Sequence, residues 1–186
     1  MVIQKISDAL TCPITPEAQN DSKNKLAAVL IMFYGTKPTI IMTERPKTMN
    51  HHAGEISFPG GTWQEDDKDL LDAAIRETKE ELGIEISRHA IIGQLQPVTT
   101  LNSGFTITAF ITFLDDIPSL VTNSEIESVL KIPLLELLKT MKDDTDPDHK
   151  SIQEMYTFRF QDYLIWGASA RMLKQIFTKL SVVGLV

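Results

Sequence analysis

Arg76-Glu77-Thr78-Lys79-Glu80-Glu81-Leu82-Gly83 concentrates one arginine and three glutamates in a short stretch of helical sequence. At roughly 100° per residue, Glu77, Glu80 and Glu81 fall within an arc of about 100°, while Leu71, Ala74, Ile75, Thr78 and Leu82 fill the adjoining arc. One face packs and its neighbour carries carboxylates. Glu77 and Glu81 form an i,i+4 like-charge pair, which costs about 0.2–0.5 kcal/mol on an isolated helix. A divalent cation reverses the sign of that cost. Hard cations such as Mg²⁺ take oxygen ligands, usually one or two carboxylates together with substrate phosphates. Arg76 can reach Glu80 at i,i+4, where its planar fork can hold a carboxylate in one orientation. A solvated acidic helix face is the plainer reading of an isolated E-x-x-E-E. The Gly60-Gly61 pair upstream and the helix stop at Gly83 favour a built site.

The elements that must position these residues follow from pattern. The central helix is predicted to start near Lys68 or Asp69 and to stop at Gly83, a residue suited to the position beyond a helix end. Ahead of it, Phe58-Pro59-Gly60-Gly61 predicts a tight turn in which glycine permits close backbone approach. Glu44 to Ser57 has no period and carries Arg45, Lys47, His51 and His52, a local basic loop suited to an anion. For the two histidines alone, a solvent-exposed pair is the simpler reading.

Leu26 to Phe33 is a continuous apolar run, expected of a strand buried on both faces and paired in a hairpin with Thr39 to Thr43. Ala90 to Leu95 and Phe105 to Phe113 read as strands, separated by a polar loop from Thr99 to Gly104, and Asp115 to Asn123 as a loop leading into Ser124-Glu125-Ile126-Glu127. Val129 to Ile132 predicts a short strand and Pro133 the first turn of a helix through Leu138. Lys142 to Lys150 reads as an exposed loop, Met155 to Phe160 with Tyr163 to Trp166 as a hairpin, and Gly167 to Leu180 as an amphipathic helix. Residues 1–25 read as an N-terminal helix, with Ile3, Ile6 and Leu10 inward, and a connector; residues 26–186 form the main domain.

At 186 residues the chain suits one domain with a sizeable core. Its net charge of −7 argues against nucleic acid or an anionic membrane as partner, so an anionic substrate would need a metal or a basic patch. The single cysteine, Cys12, excludes an intrachain disulfide and fits a reducing compartment. The run from Leu26 to Phe33 is too short to span a bilayer, and the N-terminus lacks a basic region followed by an apolar one, so a soluble cytoplasmic protein is expected.

The Gly61 to Ile84 stretch resembles the Nudix box, whose pattern is Gly, five residues, Glu, seven residues, then Arg-Glu-apolar-x-Glu-Glu-x-Gly-apolar. Thr78 occupies the apolar position, and Arg76 falls one residue late counted from Gly61. One extra residue near Asp66 or Asp67 reconciles the two and leaves the first acidic position among Asp67, Lys68 and Asp69. The run Thr43-x-Arg45-x4-Asn50-x-His52-x-Gly54-x3-Phe58-Pro59-Gly60-Gly61 resembles the signature ahead of the box in coenzyme A pyrophosphatases. Ser124-Glu125-Ile126, Ile132-Pro133-Leu134 and Ile165-Trp166-Gly167-Ala168-Ser169-Ala170 resemble later landmarks of that subfamily. Pro46 stands where the subfamily has a small residue, and Asn50 where it has an arginine suited to a phosphate.

The resemblance implies an α/β (α+β) Nudix fold, a mixed β-sheet sandwiched between helices. It implies a Mg²⁺- or Mn²⁺-dependent pyrophosphatase that cuts the diphosphate of coenzyme A or acyl-coenzyme A. The alternatives are another nucleoside diphosphate derivative (ADP-ribose, a dinucleotide, a nucleoside triphosphate) or a domain that senses a nucleotide without turnover. By the same resemblance Glu77, Glu80 and Glu81 are the expected metal ligands with a carbonyl at Gly60 or Gly61, and Arg76 orients the glutamates. Glu80 or Glu125 is the general base, although a carboxylate at a helix N-terminus explains Glu125 equally well. Arg45, Asn50, His52, Gly54, Gly60 and Gly61 are expected around the substrate, whereas Phe58, Trp63 and Trp166 are expected to pack. The implied partner is a small nucleotide, with no nucleic acid and no membrane; a homodimer is the candidate assembly.

Overall fold

The computed structural model describes residues 2–18, 24–48, 53–100, 103–146 and 155–186. Its organising strand is β1 (Lys25–Tyr34), whose alternation sends Ala28, Leu30 and Met32 into one buried layer and Ile31 and Phe33 into the other. β1 pairs in parallel with β7 (Phe105–Leu114) along its whole length, from Lys25 opposite Phe105 to Tyr34 opposite Leu114. The opposite edge of β1 is shared by two antiparallel partners. Phe33 and Tyr34 pair with β2 (Thr39–Glu44), the expected hairpin, while Ala27 to Val29 pair with β4 (Gly60–Thr62).

The sheet runs β3 (Ile56–Ser57), β2, β1, β7, β5 (Ile91–Gln94), with β8 (Ser128–Pro133) on β2 and β6 (Val98–Thr99) on β7. Helix α2 (Leu70–Leu82) covers one face through Leu70, Leu71, Ala73, Ala74 and Leu82. The other face is covered by α1 (Val2–Leu10), α3 (Leu134–Leu138) and α4 (Gly167–Val182), where Ile6, Leu10, Leu134, Leu173 and Ile176 join one apolar cluster. A mixed sheet between helical layers is the architecture the sequence implied. A small second sheet joins β9 (Lys142–Asp143), β10 (Tyr156–Phe160) and β11 (Tyr163–Ile165). Among the described residues no helix is long and apolar enough to cross a membrane.

Helix α2 is bounded as its sequence dictates. The Asp69 side chain accepts the Asp72 N–H at 2.9 Å, and Gly83 adopts the left-handed conformation (φ 70°) with its N–H on the Lys79 carbonyl. Arg88 pairs with Asp69 and with Asp72 near the helix start. At the far end the backbone N–H groups of Val121 and Asn123 donate to the carbonyls of Leu82 (3.0 Å) and Glu81 (3.3 Å), satisfying acceptors that a helix end leaves open.

Three local expectations are corrected. Gly60 and Gly61 lie in a strand rather than a tight turn. The close approach is real: a Cβ on Gly60 (φ 141°) would sit 2.2 Å from the Ala28 carbonyl oxygen and 2.6 Å from the Val29 Cα. Lys142 and Asp143 form an edge strand because they find Thr157 and Tyr156 opposite them, partners that local polarity does not reveal. Ser124 and Glu125 form a turn, so no helix N-terminus accounts for Glu125. Asn50, His51 and His52 lie outside the described residues.

Thr78, where the box pattern has an apolar residue, is fully buried, and its hydroxyl finds no hydrogen-bond partner. An unpartnered buried hydroxyl destabilises the fold. Thr78→Val, of nearly the same shape, is expected to stabilise the protein by about 1 kcal/mol. Equilibrium denaturation measures this, and equal or lower stability of the variant contradicts it.

Candidate active site

Two carboxylates of α2, Glu77 and Glu81, lie against the glycines of β4. Glu81 is 4% exposed, and its Oε2 accepts the Gly60 backbone N–H at 3.0 Å. Burial pushes its carboxyl up to about 7; the charges of Glu77 and Glu125 push the same way, against the Gly60 hydrogen bond and the charge of Arg45. Glu77 rests over the next glycine, so a Cβ added to Gly61 would lie 2.6 Å from the Glu77 Cδ. Consecutive glycines therefore accommodate two glutamates one helical turn apart. Glu80 points outward and its side chain is 55% exposed.

Arg76 holds this arrangement, but its principal partner is not Glu80. Its Nε and Nη2 donate to both Asp67 oxygens at 2.9 Å, Nη1 donates to Glu77 Oε1 at 2.8 Å, and Nη2 also reaches the Thr62 carbonyl at 3.2 Å. Glu80 Oε1 lies 3.5 Å from Nη1. Asp67 is itself fixed by a local turn, in which the Gln64 N–H donates to its Oδ2 and its own N–H donates to the Gln64 carbonyl. The Arg76 guanidinium holds the Asp67 carboxyl below the usual carboxylate range. Of the three positions left open by the one-residue offset, Asp67 is the one that meets the box arginine. Asp69 caps the helix and Lys68 is exposed. The late arrival of Arg76 in the pattern was the only sequence signal for Asp67.

Arg45 enters the site from the chain between β2 and β3. Its N–H donates to the Glu55 carbonyl and its carbonyl accepts the Gly54 N–H, both at 3.1 Å, which closes the loop at its base with Gly54 left-handed (φ 70°). Glu125, whose N–H donates to Asn123 Oδ1 at 2.9 Å, approaches from the loop that also bonds the end of α2. Gly60, Gly61, Glu77 and Glu81 thus come together, with the charges of Arg45 and Glu125 close enough to act on Glu81. Glu80 stays at the exposed margin.

The donor set fits a hard divalent cation in its chemistry: carboxylate oxygens, like charges drawn together, and burial that disfavours their ionisation. Among the described residues no three Asp, Glu, His or Cys side chains converge on one point. A cation here would therefore draw part of its coordination from substrate oxygens and water, as Mg²⁺ commonly does.

Gly60 and Gly61 also form part of the wall of a cleft of about 490 Å³. Its other walls include Arg45 and Glu55 from the β2–β3 segment, Phe105 and Ile107 from β7, and Trp166, Arg171 and Met172 from α4 and the residue before it. Trp63 is partly buried against the core and Phe58 is 2% exposed, as packing residues are. Trp166, also expected to pack, faces this cleft. Arg171 and Met172 were read only as positions on an amphipathic helix; the fold brings them to the same cleft as the two glycines.

Carboxylates set beside a cleft with arginines in its wall are suited to an anionic phosphate chain, the class of site expected of a phosphoanhydride hydrolase. Residues 23–160 match the family profile described as NUDIX domain, and the chain belongs to that family, hydrolases acting on phosphorus-containing anhydrides. The uncharacterized Nudix hydrolase NudL of Photorhabdus laumondii is 30% identical over 176 residues, covering 93% of this chain and 94% of that protein. A MutT protein from Methanosarcina mazei superposes with a TM-score of 0.57 at 16% identity, covering 88% of this chain and 99% of that one. The NUDIX domain of Shewanella oneidensis NrtR, solved with ADP ribose, superposes with a TM-score of 0.51 at 14% identity, covering 65% of this chain and 82% of that one. These two structural likenesses concern the fold.

Asp67→Asn is expected to cost about 2 kcal/mol at neutral pH, because it removes the charge from a buried bidentate pair. The native Asp67 carboxyl is depressed, so its stabilisation is complete above its unfolded pKa and is lost as pH falls through the folded value. The stability gap between wild type and variant should therefore close on acidification. Denaturation series from neutral to acidic pH measure it, and a gap independent of pH contradicts the clamp.

Proposed function

We propose that this protein is a Mg²⁺- or Mn²⁺-dependent pyrophosphatase that hydrolyses coenzyme A or acyl-coenzyme A to 3′,5′-ADP and (acyl-)4′-phosphopantetheine. The observation that carries the reading is the glycine strand: Gly60 and Gly61, on which Glu81 and Glu77 rest, also line a cleft that extends to a largely apolar wall at Phe105, Trp166 and Met172. A diphosphate flanked by a nucleoside and a long, weakly polar arm suits such a cleft. The resemblance of the Thr43 to Gly61 run to the coenzyme A pyrophosphatase signature supports the same substrate.

In this reading Arg45 draws the diphosphate toward the glycine strand, and Arg76 with Asp67 keeps Glu77 in place. Water adds its oxygen to one phosphorus, the bridging P–O bond breaks, and the departing phosphate ester carries away the bond's electron pair. The water's proton passes to a carboxylate: Glu125, whose charge acts on Glu81, or Glu80. Glu77 and Glu81, with the Gly60 carbonyl, would hold the divalent ion, with Glu80 turning in from the exposed margin to join them; the ion would supply charge neutralisation and a more acidic water. Gly54 lets the loop close behind Arg45, and Asn50 and His52 are assigned to the same substrate loop.

A second reading, the same chemistry on ADP-ribose or another nucleoside diphosphate derivative, rests on Asn50 standing in place of the subfamily's arginine. A nucleotide sensor without turnover has less support, since it has no need of the full Arg76, Glu77, Glu80 and Glu81 set.

Turnover of coenzyme A, dephospho-coenzyme A and ADP-ribose with Mg²⁺ or Mn²⁺, with products resolved by chromatography, tests the proposal. Coenzyme A is expected to be the best substrate, with Glu80→Gln and Glu81→Gln each about 100-fold slower or worse. Hydrolysis of ADP-ribose alone rejects the substrate, and near-wild-type rates in both variants reject the carboxylate assignment.

A further inference from the structure

The first turn of α4 opens onto the cleft with its backbone donors uncapped. Trp166, Gly167, Ala168 and Ser169 all line that space. Trp166 stands at the N-cap position and makes no side-chain capping bond, and no acidic residue occupies the first turn. The helix ladder begins with the Ala170 N–H on the Trp166 carbonyl at 3.4 Å, and the N–H groups of Gly167, Ala168 and Ser169 have no hydrogen-bond partner among the described residues. The end of this 16-residue helix combines partial positive charge with directed donors, the two properties that hold an anion. Gly167 is left-handed (φ 62°), and a Cβ built on it meets no atom within 4 Å, so the space beside the turn is open.

Water satisfies many helix ends, but a side chain here also calls for a ligand. Ser169 is 9% exposed and lines the cleft, and its hydroxyl bonds to none of the described residues. Further along α4, Ser181 returns its hydroxyl to the Phe177 carbonyl one turn back at 2.8 Å; the residue four before Ser169 is Ile165, which belongs to β11. Leaving a buried hydroxyl unpaired costs free energy that a bound oxygen restores. Glu55 is the one carboxylate among the described lining residues, so the turn does not face a wall of like charge. Helix α4 packs against β6 and β10, whereas Glu77 and Glu81 lie against β4.

We infer that the first turn of α4, through the N–H groups of Gly167 to Ser169 and the Ser169 hydroxyl, binds a phosphoryl group of the ligand. This rests on the nucleotide-pyrophosphatase reading above and deepens it. Two groups share that chemistry, the diphosphate that is cut and a phosphate monoester elsewhere on the nucleotide.

The test titrates adenosine, ADP and adenosine 3′,5′-bisphosphate into wild type, Ser169→Ala and Ala168→Asp, followed by backbone amide NMR. EDTA keeps metal-bridged contacts at α2 out of the measurement. Wild type is expected to bind at least one of the two nucleotides about 10-fold tighter than adenosine. Ser169→Ala should reduce that advantage about 3-fold, and Ala168→Asp, which sets a carboxylate among the open N–H groups where a helix favours an acid, should abolish it. Adenosine affinity should stay within about 2-fold in both variants. Loss for ADP, alone or together with the bisphosphate, supports the inference with the diphosphate as the group bound; loss for the bisphosphate alone supports it with a monoester. A wild type without the advantage, an advantage undiminished in Ala168→Asp, or equal weakening of adenosine overturns it. If Ala168→Asp does not fold, Ser169→Ala decides, and an undiminished advantage there overturns the inference. Coenzyme A that is bound but not cleaved would reject the substrate proposed above and leave the binding result at α4 standing.

Discussion

The structure depends on laying acidic side chains of α2 against a strand that has no side chains at the point of contact. Gly60 can pair with β1 only because it lacks a Cβ, which would strike the Ala28 carbonyl and the Val29 Cα. That pairing turns its N–H toward Glu81. Gly61 then leaves the space that the Glu77 carboxylate fills. A larger residue at Gly60 would force β4 away from β1, and one at Gly61 would displace the Glu77 carboxylate. The sheet fork, where β2 and β4 share one edge of β1, exists to bring this pair of glycines under the helix.

Such an arrangement opposes its own electrostatics. A buried carboxylate with like charges nearby costs free energy that one backbone hydrogen bond does not cancel. The fold offsets part of this through Arg76, locked by Asp67 and extended to Glu77, and through Arg45, held by the closed base of its loop. The apolar side of α2 supplies the rest of the anchoring, with Leu70, Leu71, Ala74 and Leu82 buried against the sheet. What stays uncompensated is the negative charge beside the glycine strand, where a cation belongs in the proposed chemistry.

Much of this was legible in the sequence because it rests on local repeats. The helix limits follow from Asp69 and Gly83, and the buried strand from an unbroken apolar run; the family follows from the spacing of Arg76 to Gly83. The glycine pair was read as a point of close approach, but its strand character was not, since two small residues carry no period and their partner is more than thirty positions away. Asp67 was one of three candidates because its partner lies nine positions on, beyond the reach of a helix-face argument. Trp166 and Arg171 were invisible as cleft residues for the same reason: tertiary packing brings them to the cleft that the glycines line, and local pattern alone describes only which side is apolar. Thr78 is the reverse case, a departure from pattern visible in the sequence whose consequence, a buried hydroxyl without a partner, only the packing shows.

The central claim is that Glu77 and Glu81, set against Gly60 and Gly61, provide the oxygen donors for a catalytic divalent ion. Titration of Mn²⁺ into the substrate-free protein, followed by the paramagnetic signal of the free ion, measures this directly. Wild type should bind one equivalent, and Glu77→Gln combined with Glu81→Gln should weaken that binding at least about 10-fold while leaving the fold intact. Undiminished Mn²⁺ binding in the folded double variant would contradict the account.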